Sequence, residues 1–205
     1  MKQLFCLAFL SIAANATIIY IDSEASNTIN NSGHPTVDLT GRLHPNPAWA
    51  EPLSGSDWIS YGSTGDHADP GYFSPPDGLV VTFTTHFTLI GAITGGGLEV
   101  LADDSTSVIL NGHKLIAADT KPGAKCSKAP IGCLVSTEGI FTFAQLAPYL
   151  VDGTNTLSFG VEQVAGSSFG LDFAGHVDDG PTPEPATAAF IGGGLIGLVA
   201  LRRRK

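Results

Sequence analysis

Basic side chains are scarce in most of this 205-residue chain. Residues 22–184 contain nineteen acidic side chains and five basic ones, so this stretch carries a net charge of −14 against −9 for the whole chain. Such a surface repels nucleic acid and anionic membranes, and it keeps a protein in solution. The charge balance therefore excludes nucleic acid as a partner and indicates an acidic, soluble domain.

Cysteine is also scarce, with three residues in the chain. Cys6 lies in an apolar N-terminal run, which leaves Cys126 and Cys133 with six residues between them. A redox-active pair is usually closer, as in Cys-x-x-Cys, and a metal site would need further ligands at suitable spacing. In an oxidising compartment this pair predicts one small disulfide loop.

Recognisable catalytic patterns are few. The chain has no His-Glu-x-x-His zinc motif, and its six histidines are scattered without metal-ligand spacing. Gly95, Gly96 and Gly97 precede a predicted strand rather than a helix, so a turn explains them better than a phosphate site. These absences predict a domain that is not an enzyme and needs no cofactor.

The N-terminus has the three parts of a secretory signal peptide. Lys2 supplies a positive charge, residues 4–14 are an apolar run, and Ala14-Asn15-Ala16 is the small-x-small pattern that signal peptidase cleaves. Residues 1–16 are therefore predicted to be removed by signal peptidase, so that the mature chain begins at Thr17.

The C-terminus combines an apolar run, residues 186–201, with four basic residues. A helix of 16 residues covers roughly 24 Å, short of a hydrocarbon core of about 30 Å. Long basic side chains can reach the headgroups and narrow that difference. The pattern predicts a transmembrane helix whose last residues stay cytoplasmic. The four basic residues are Arg202, Arg203, Arg204 and Lys205.

The triplet Pro183-Glu184-Pro185 stands before this run, and its prolines hold the backbone extended, as a protease cleft requires. The order of triplet, short transmembrane segment and basic cluster resembles the PEP-CTERM sorting signal of bacterial exosortase substrates. The resemblance implies that residues 180–205 are a sorting signal. The triplet would be recognised and processed by an exosortase-type membrane protease, while the basic cluster retains the chain in the inner membrane. The product would reach the cell surface or the extracellular space.

Alternating apolar and polar residues predict strands in the remaining domain, residues 17–179. Every second residue of 81–89 points to one face, residues 157–161 repeat the pattern, and Asn111-Gly112 fits a type I′ hairpin turn. About seven short strands with Gly, Asn and Asp turns predict an all-β fold, a single jelly-roll-like β-sandwich. Residues 17–57 are expected to wrap it as irregular strands and loops, with one helical turn near residues 143–146.

Two segments carry a second, weaker resemblance. Residues 102–115 (ADDSTSVILNGHKL) and 150–163 (LVDGTNTLSFGVEQ) are similar in hairpin and turn spacing to galactose-binding-like jelly rolls of bacterial surface proteins. The similar region covers residues 57–177 and implies the same sandwich fold.

Two groups of side chains are candidates for ligand binding. Exposed aromatic rings in the N-terminal half would stack on sugar faces; the alternative is that they fill the core. Two acidic pairs would offer oxygen ligands to calcium, although neither matches a 12-residue calcium loop and Asp often forms turns. The aromatic candidates are Trp49, Trp58, Tyr61 and Tyr72, and the acidic candidates are Asp66, Asp69, Asp103 and Asp104.

The sequence predicts an exported protein that is transiently anchored in the membrane and then reaches the cell surface or the extracellular space. Two classes of function remain open for the domain. A structural surface or matrix protein needs stability, solubility and sorting, all of which the sequence supplies. A carbohydrate-binding module that recognises surface or extracellular polysaccharide is the alternative.

Overall fold

The computed structural model describes residues 17–31, 35–119 and 125–180. In these residues eleven strands form two antiparallel sheets that face each other. The six-stranded sheet contains β1 (Thr17–Asp22), β3 (Val37–Asp38), β4 (Ile59–Ser60), β6 (Ala92–Asp103), β9 (Gly139–Thr142) and β11 (Gly170–Gly180). The five-stranded sheet contains β2 (Ile29–Asn30), β5 (Val80–Leu89), β7 (Ser105–Leu110), β8 (His113–Ile116) and β10 (Gly153–Glu162).

The long strands alternate between the two sheets along the chain, so the all-β, jelly-roll-like sandwich is confirmed. β5, β7 and β10 lie in one sheet, while β6, β9 and β11 lie in the other. Helical structure in the described residues is confined to α1 (Phe143–Leu146) and to two 3₁₀ turns, Val135–Thr137 and Ala147–Tyr149. No helix in these ranges is long and apolar enough to cross a membrane. The predicted signal peptide and the predicted sorting segment, apart from Gly180 at the end of β11, lie outside the described residues.

The main core fills the space between the sheets. Alternate residues of β5, from position 81 to position 89, are buried, as the sequence pattern predicted. β10 pairs with β5 along its whole length and turns its own alternate residues inward. Phe159 of β10 stacks on Phe173 of β11 with ring centroids 4.4 Å apart, so this pair joins the two sheets through the core.

Asn111 and Gly112 form the predicted turn between β7 and β8. Both have positive φ, 50° and 81°, which a type I′ turn requires. The Asn111 side chain also donates from Nδ2 to the Tyr149 carbonyl at 2.8 Å and accepts from the Thr156 backbone at 2.8 Å. The turn therefore anchors the hairpin to the end of the sandwich.

Two local features differ from what the sequence suggests. The acidic segment at Asp103 and Asp104 bends the chain, as a turn-forming Asp does, but it is buried where it carries the chain from β6 in one sheet to β7 in the other. The three glycines at 95–97 are not a turn, because they lie inside β6 opposite β11. A Cβ at Gly96 would lie 2.6 Å from the His176 carbonyl of that strand, so the close pairing requires glycine at this position.

A second, smaller core covers part of the outer face of the six-stranded sheet. Its buried members are Leu39, Trp49, Trp58, Leu101 and Cys133. Leu101 belongs to β6 and points away from the main core, and loops from the irregular N-terminal part pack on it. Residues 39–53 thus pack as loops over part of this face, whereas Thr17–Asp22 form the regular strand β1 of the same sheet.

The predicted disulfide joins Cys126 to Cys133, whose Cα atoms lie 4.9 Å apart. The closed loop lies beside β6, where the Gly132 carbonyl accepts a hydrogen bond from the Ala102 backbone at 2.9 Å. The Cys133 carbonyl accepts another from the Ala50 backbone at 2.8 Å. The disulfide loop therefore links β6 to the covering loops.

Candidate functional site

The two tryptophans do not form a sugar-binding platform. Trp58 has no exposed surface, Trp49 is 8% exposed, and their ring centroids lie 4.3 Å apart in the second core. Their polar groups also face inward, since Trp49 Nε1 donates to Asp103 at 2.7 Å and Trp58 Nε1 donates to the Ala50 carbonyl at 3.1 Å. This burial contradicts the exposed-ring interpretation and favours the alternative that both rings fill a core.

The two candidate tyrosines do not join them in one site. Tyr61 is half-buried and packs edge-on against Phe73 and Phe169, each with a centroid distance of 5.6 Å. Burial raises the pKa of the Tyr61 hydroxyl. Tyr72 stacks on the exposed His67 at 4.3 Å. The structure therefore divides the four predicted aromatic residues among the second core, the edge of the main core and a surface loop.

Asp66 and Asp69 hold two loops together. Asp69 is buried, and its two carboxylate oxygens contact His44 Nδ1 at 2.6 Å and the His44 backbone N–H at 2.7 Å. The hydrogen bond with Asp69 raises the pKa of His44. Burial acts to raise the pKa of Asp69, but hydrogen bonds from His44 outweigh it and lower that pKa. Asp66 accepts from the Ala68 backbone at 2.9 Å, as a turn-forming Asp does.

Asp103 and Asp104 form a buried acidic pair where the chain crosses between the sheets. Asp103 is 3% exposed and accepts from Trp49, while Asp104 is 4% exposed and accepts from the Val164 backbone at 2.7 Å. Burial raises the pKa of Asp103 well above its usual value, and the neighbouring Asp104 carboxyl raises it further. Burial also raises the pKa of Asp104, against the opposing effect of its hydrogen bonds. Asp103 Oδ1 has no donor among the described residues, so a proton shared by the pair would satisfy it.

Neither acidic pair gathers the ligand set that calcium prefers. Within the described ranges, the one group of three or more potential ligand atoms close enough to share an ion consists of Asp103, Cys126 and Cys133, within 4.8 Å of one another. The two sulfurs are joined as a disulfide and do not act as thiolates. Calcium binding by the two acidic pairs therefore remains a prediction, and the positions of their carboxylate oxygens do not support it.

One catalytic-looking motif was missed in the sequence. Residues 166–170 read Gly-Ser-Ser-Phe-Gly, the pattern of a nucleophile elbow. A nucleophile elbow places its serine, exposed, between a strand and a helix. Here Ser168 is fully buried in the connection between two strands, and its hydroxyl donates to the Gly65 carbonyl at 2.7 Å and accepts from Asn46 at 2.7 Å. The motif is therefore part of the structural framework.

The acidic pair leads to a testable pH dependence. A raised folded-state pKa means that the pair contributes its stability below the unfolded-state pKa, about 4, and loses it as pH rises through the folded value. Asp103→Asn keeps an acceptor for Trp49 and adds a donor toward Asp104. We expect this variant to gain about 1–2 kcal/mol of unfolding free energy at pH 7 and nothing near pH 4, measured by urea denaturation.

The matched control is Asp152→Asn, at an exposed position in the turn before β10. Its unfolding free energy should stay within about 0.5 kcal/mol of the parent chain at both pH values. A stability loss in Asp103→Asn of equal size at pH 4 and pH 7 would contradict the shared-proton arrangement.

An open groove lies on the half of the outer sheet face that the second core leaves uncovered. Its volume is about 570 Å³, and strands β1, β6, β9 and β11 form its floor. Ser54 and Gly55, from the covering loops, form one wall. The groove is thus the uncovered remainder of a surface that is otherwise buried.

The strand register arranges the groove residues in two rows that cross the sheet. In the first row Tyr20 is opposite His176, which is opposite Gly97. In the second row Asp22 is opposite Ala174, which is opposite Glu99, and Glu99 is opposite Ile140. Directly opposed residues on antiparallel strands point to the same face. Polar side chains and one tyrosine therefore surround a floor of small residues.

Sequence reasoning missed these groove residues. The alternation of polar and apolar residues in β1 and β6 is visible in the sequence and would have marked Tyr20, Asp22 and Glu99 as outward-facing. Their convergence depends on the pairing of β1 with β11 and of β11 with β6, which joins residues about 75 to 155 positions apart. Neither pairing can be read from a single sequence.

Comparison with known proteins identifies the C-terminal segment. Residues 181–205 match the family model of the PEP-CTERM protein-sorting motif. The chain carries an exosortase sorting motif. This match confirms the resemblance found in the sequence, and the motif indicates export with transient membrane anchoring before exosortase cleavage, ending at the cell surface or in the extracellular space.

The domain itself has less informative matches. No curated protein matches the sequence. A family 35 carbohydrate-binding module from Clostridium thermocellum is similar in structure, with 10% sequence identity, a TM-score of 0.37, and coverage of 77% of this chain and 97% of that chain. A likeness of this degree is too distant to carry an argument about binding.

Proposed function

We propose that this chain is an exosortase-processed protein of the cell surface or extracellular matrix, and that its β-sandwich is a non-catalytic, structural domain. The sorting motif at residues 181–205 is the observation that carries the proposal. Its partners in export are signal peptidase, which removes residues 1–16, and an exosortase-type protease, which acts while the chain is held in the inner membrane.

The properties of the domain suit an extracellular structural role. The disulfide between Cys126 and Cys133 is stable in an oxidising compartment. The acidic surface favours solubility outside the cell. Asp103, whose pKa is raised well above its usual value, and its neighbour Asp104 are buried and bonded to Trp49 and to the backbone, out of reach of a substrate. This burial supports a structural interpretation of the pair over a catalytic one.

Processing is tested by mass spectrometry of the protein recovered from an exosortase-positive host. We expect the mature chain to begin at Thr17 and to lack Arg202 through Lys205. Replacing Pro183, Glu184 and Pro185 together by alanine should leave the basic end in place and the chain in the membrane fraction, because the protease no longer recognises it.

The matched control for that variant is Thr187→Ala, which changes a single residue outside the triplet. It should be processed like the parent chain. Full-length protein recovered from the cytoplasm, or normal processing of the triple-alanine variant, would refute exosortase sorting through this triplet.

Carbohydrate binding is the second candidate function. The observation that favours it is the open groove, which places an exposed tyrosine beside carboxylates and a histidine on the outer sheet face. Aromatic faces stack on sugar rings, while carboxylates and imidazoles hydrogen-bond to hydroxyl groups.

A further inference from the structure

The groove has the dimensions of a ligand site for an extended chain. Its volume of about 570 Å³ lies within the range of roughly 300–1,000 Å³ that is usual for ligand pockets. It crosses β1, β11, β6 and β9 in that order, a span of about 14 Å at the usual distance between neighbouring strands. The groove is open on its outer side, so a segment of polymer can reach it from the solvent.

Small residues make the floor of the groove accessible. Ala174 and Gly97 occupy central positions of the two rows, on β11 and β6. A Cβ placed on Gly97 would meet nothing closer than the Phe141 carbonyl, at 3.6 Å, so the groove there is open rather than filled by a neighbour. A flat ring can therefore approach the sheet backbone at this point.

Tyr20 supplies an aromatic surface at one end of the groove. Its side chain is 72% exposed, although it belongs to a strand whose neighbour Ile21 is buried in the main core. A tyrosine in this position contributes little to folding, because most of its ring stays in water. The strand fixes its backbone, so the exposed ring is already positioned for stacking on a ligand.

The charge of the groove selects the class of ligand. Asp22 and Glu99 lie in one row, and Glu99 also lies near Glu138, whose pKa is raised by burial and further by Glu99. Carboxylates accept hydrogen bonds from hydroxyl groups but repel other anions. An uncharged polymer rich in hydroxyl groups satisfies both the acidic row and the exposed ring, whereas an acidic polysaccharide does not.

We propose that this groove binds a segment of neutral polysaccharide, with a sugar ring stacked on Tyr20 and hydroxyl groups bonded to Asp22, Glu99 and His176. The inference deepens the second candidate function, carbohydrate binding, and rests on it. It does not depend on exosortase sorting, so the two can fail separately.

The test uses the full chain, solubilised in a detergent without a sugar headgroup, and isothermal titration calorimetry. The neutral probes are cello-, manno- and galacto-oligosaccharides with a β-glucan and a galactomannan, and the anionic probe is polygalacturonate. We expect binding of at least one neutral probe and none of polygalacturonate. Tyr20→Ala should weaken that binding by at least about tenfold, and Glu99→Gln by about three- to tenfold.

Two further variants separate binding from folding. Gly97→Leu should abolish binding by filling the floor of the groove, while the space around its Cβ lets the domain fold. Tyr72→Ala removes an aromatic side chain that does not line the groove and should bind like the parent chain. Circular dichroism of each variant establishes that the β-sandwich is intact.

Three results would overturn the proposal. They are preferential binding of polygalacturonate, absence of binding to every neutral probe, and unchanged binding in both Tyr20→Ala and Gly97→Leu. Light scattering that shows a dimer disrupted by those two variants would assign the groove to a second copy of the chain instead. Release of new reducing ends, abolished in Glu99→Gln, would replace simple binding with hydrolysis and refute the non-catalytic domain, while the processing experiment would be unaffected.

Discussion

Trp58→Ala is expected to lower the free energy of unfolding by about 3–5 kcal/mol. Trp58 has no exposed surface, packs against Trp49 with the ring centroids 4.3 Å apart, and donates from Nε1 to the Ala50 carbonyl. Alanine would leave a cavity in the second core and a buried carbonyl without its donor, and both changes destabilise the folded state. Urea denaturation followed by tryptophan fluorescence and by far-ultraviolet circular dichroism measures the loss.

The matched control is Tyr72→Ala, another aromatic truncation in the same half of the chain. Tyr72 stacks on the exposed His67 at the surface, so its loss should change the unfolding free energy by less than about 1 kcal/mol. An equal effect in the two variants would show that Trp58 is not held in a core. If fluorescence reports a lower free energy of unfolding and circular dichroism does not, the covering loops unfold separately from the β-sandwich.

The burial of Trp58 also determines which variant can test sugar binding. Trp58→Ala is a poor probe of a sugar site, because it removes the support of the covering loops that form one groove wall at Ser54 and Gly55. Loss of binding would then report unfolding rather than a lost contact. Tyr20→Ala is the informative change, since Tyr20 is largely exposed and its ring has little to stabilise.

The sandwich itself could be predicted because its signals are local. Alternation along β5 and β10 follows from the two-residue period of a strand that buries one face. The turn at Asn111 and Gly112 follows from the positive φ that these residues tolerate. Each of these features is contained in about ten consecutive residues, so no knowledge of long-range contacts was needed.

The sequence-based expectations that failed concern residues whose contacts are distant along the chain. The crossing at Asp103 and Asp104 resembles a solvent turn in sequence, yet Trp49, 54 residues away, covers it. The glycines at 95–97 resemble a turn, yet they lie inside β6 opposite β11, whose His176 carbonyl approaches Gly96 too closely for a side chain. Polar and glycine-rich segments usually face water, and here tertiary packing overrides that tendency.

The second core explains both the misplaced tryptophans and the open groove. A sheet in a sandwich normally has one face toward the core and one toward solvent. In this chain the outer face carries an apolar side chain, Leu101, at one end of β6 and Gly97 with Glu99 nearer the other. The loops that carry Trp49 and Trp58 cover the apolar end, and the uncovered end remains as the groove.

Removing the disulfide is expected to destabilise the domain by roughly 2–3 kcal/mol, because the closed loop is short and limits the unfolded chain only over that distance. The bridge has a sequence separation of 7 and places Cys133 inside the second core. Cys126→Ser with Cys133→Ser should show this loss in urea denaturation, and the parent chain should lose a similar amount on reduction.

Ser127→Ala, at an exposed position inside the loop, is the control and should change the unfolding free energy by less than about 0.5 kcal/mol.

Combining the double serine variant with Trp58→Ala distinguishes two explanations of how the disulfide stabilises the domain. If the disulfide acts only on the unfolded chain, its effect adds to that of Trp58→Ala. If the disulfide instead holds the covering loops onto the tryptophans, the loss in the combined variant is smaller than the sum of the two separate losses. Either change alone would already release the covering loops from the sheet. Cys133 and Trp58 belong to the same buried cluster, which favours the second result.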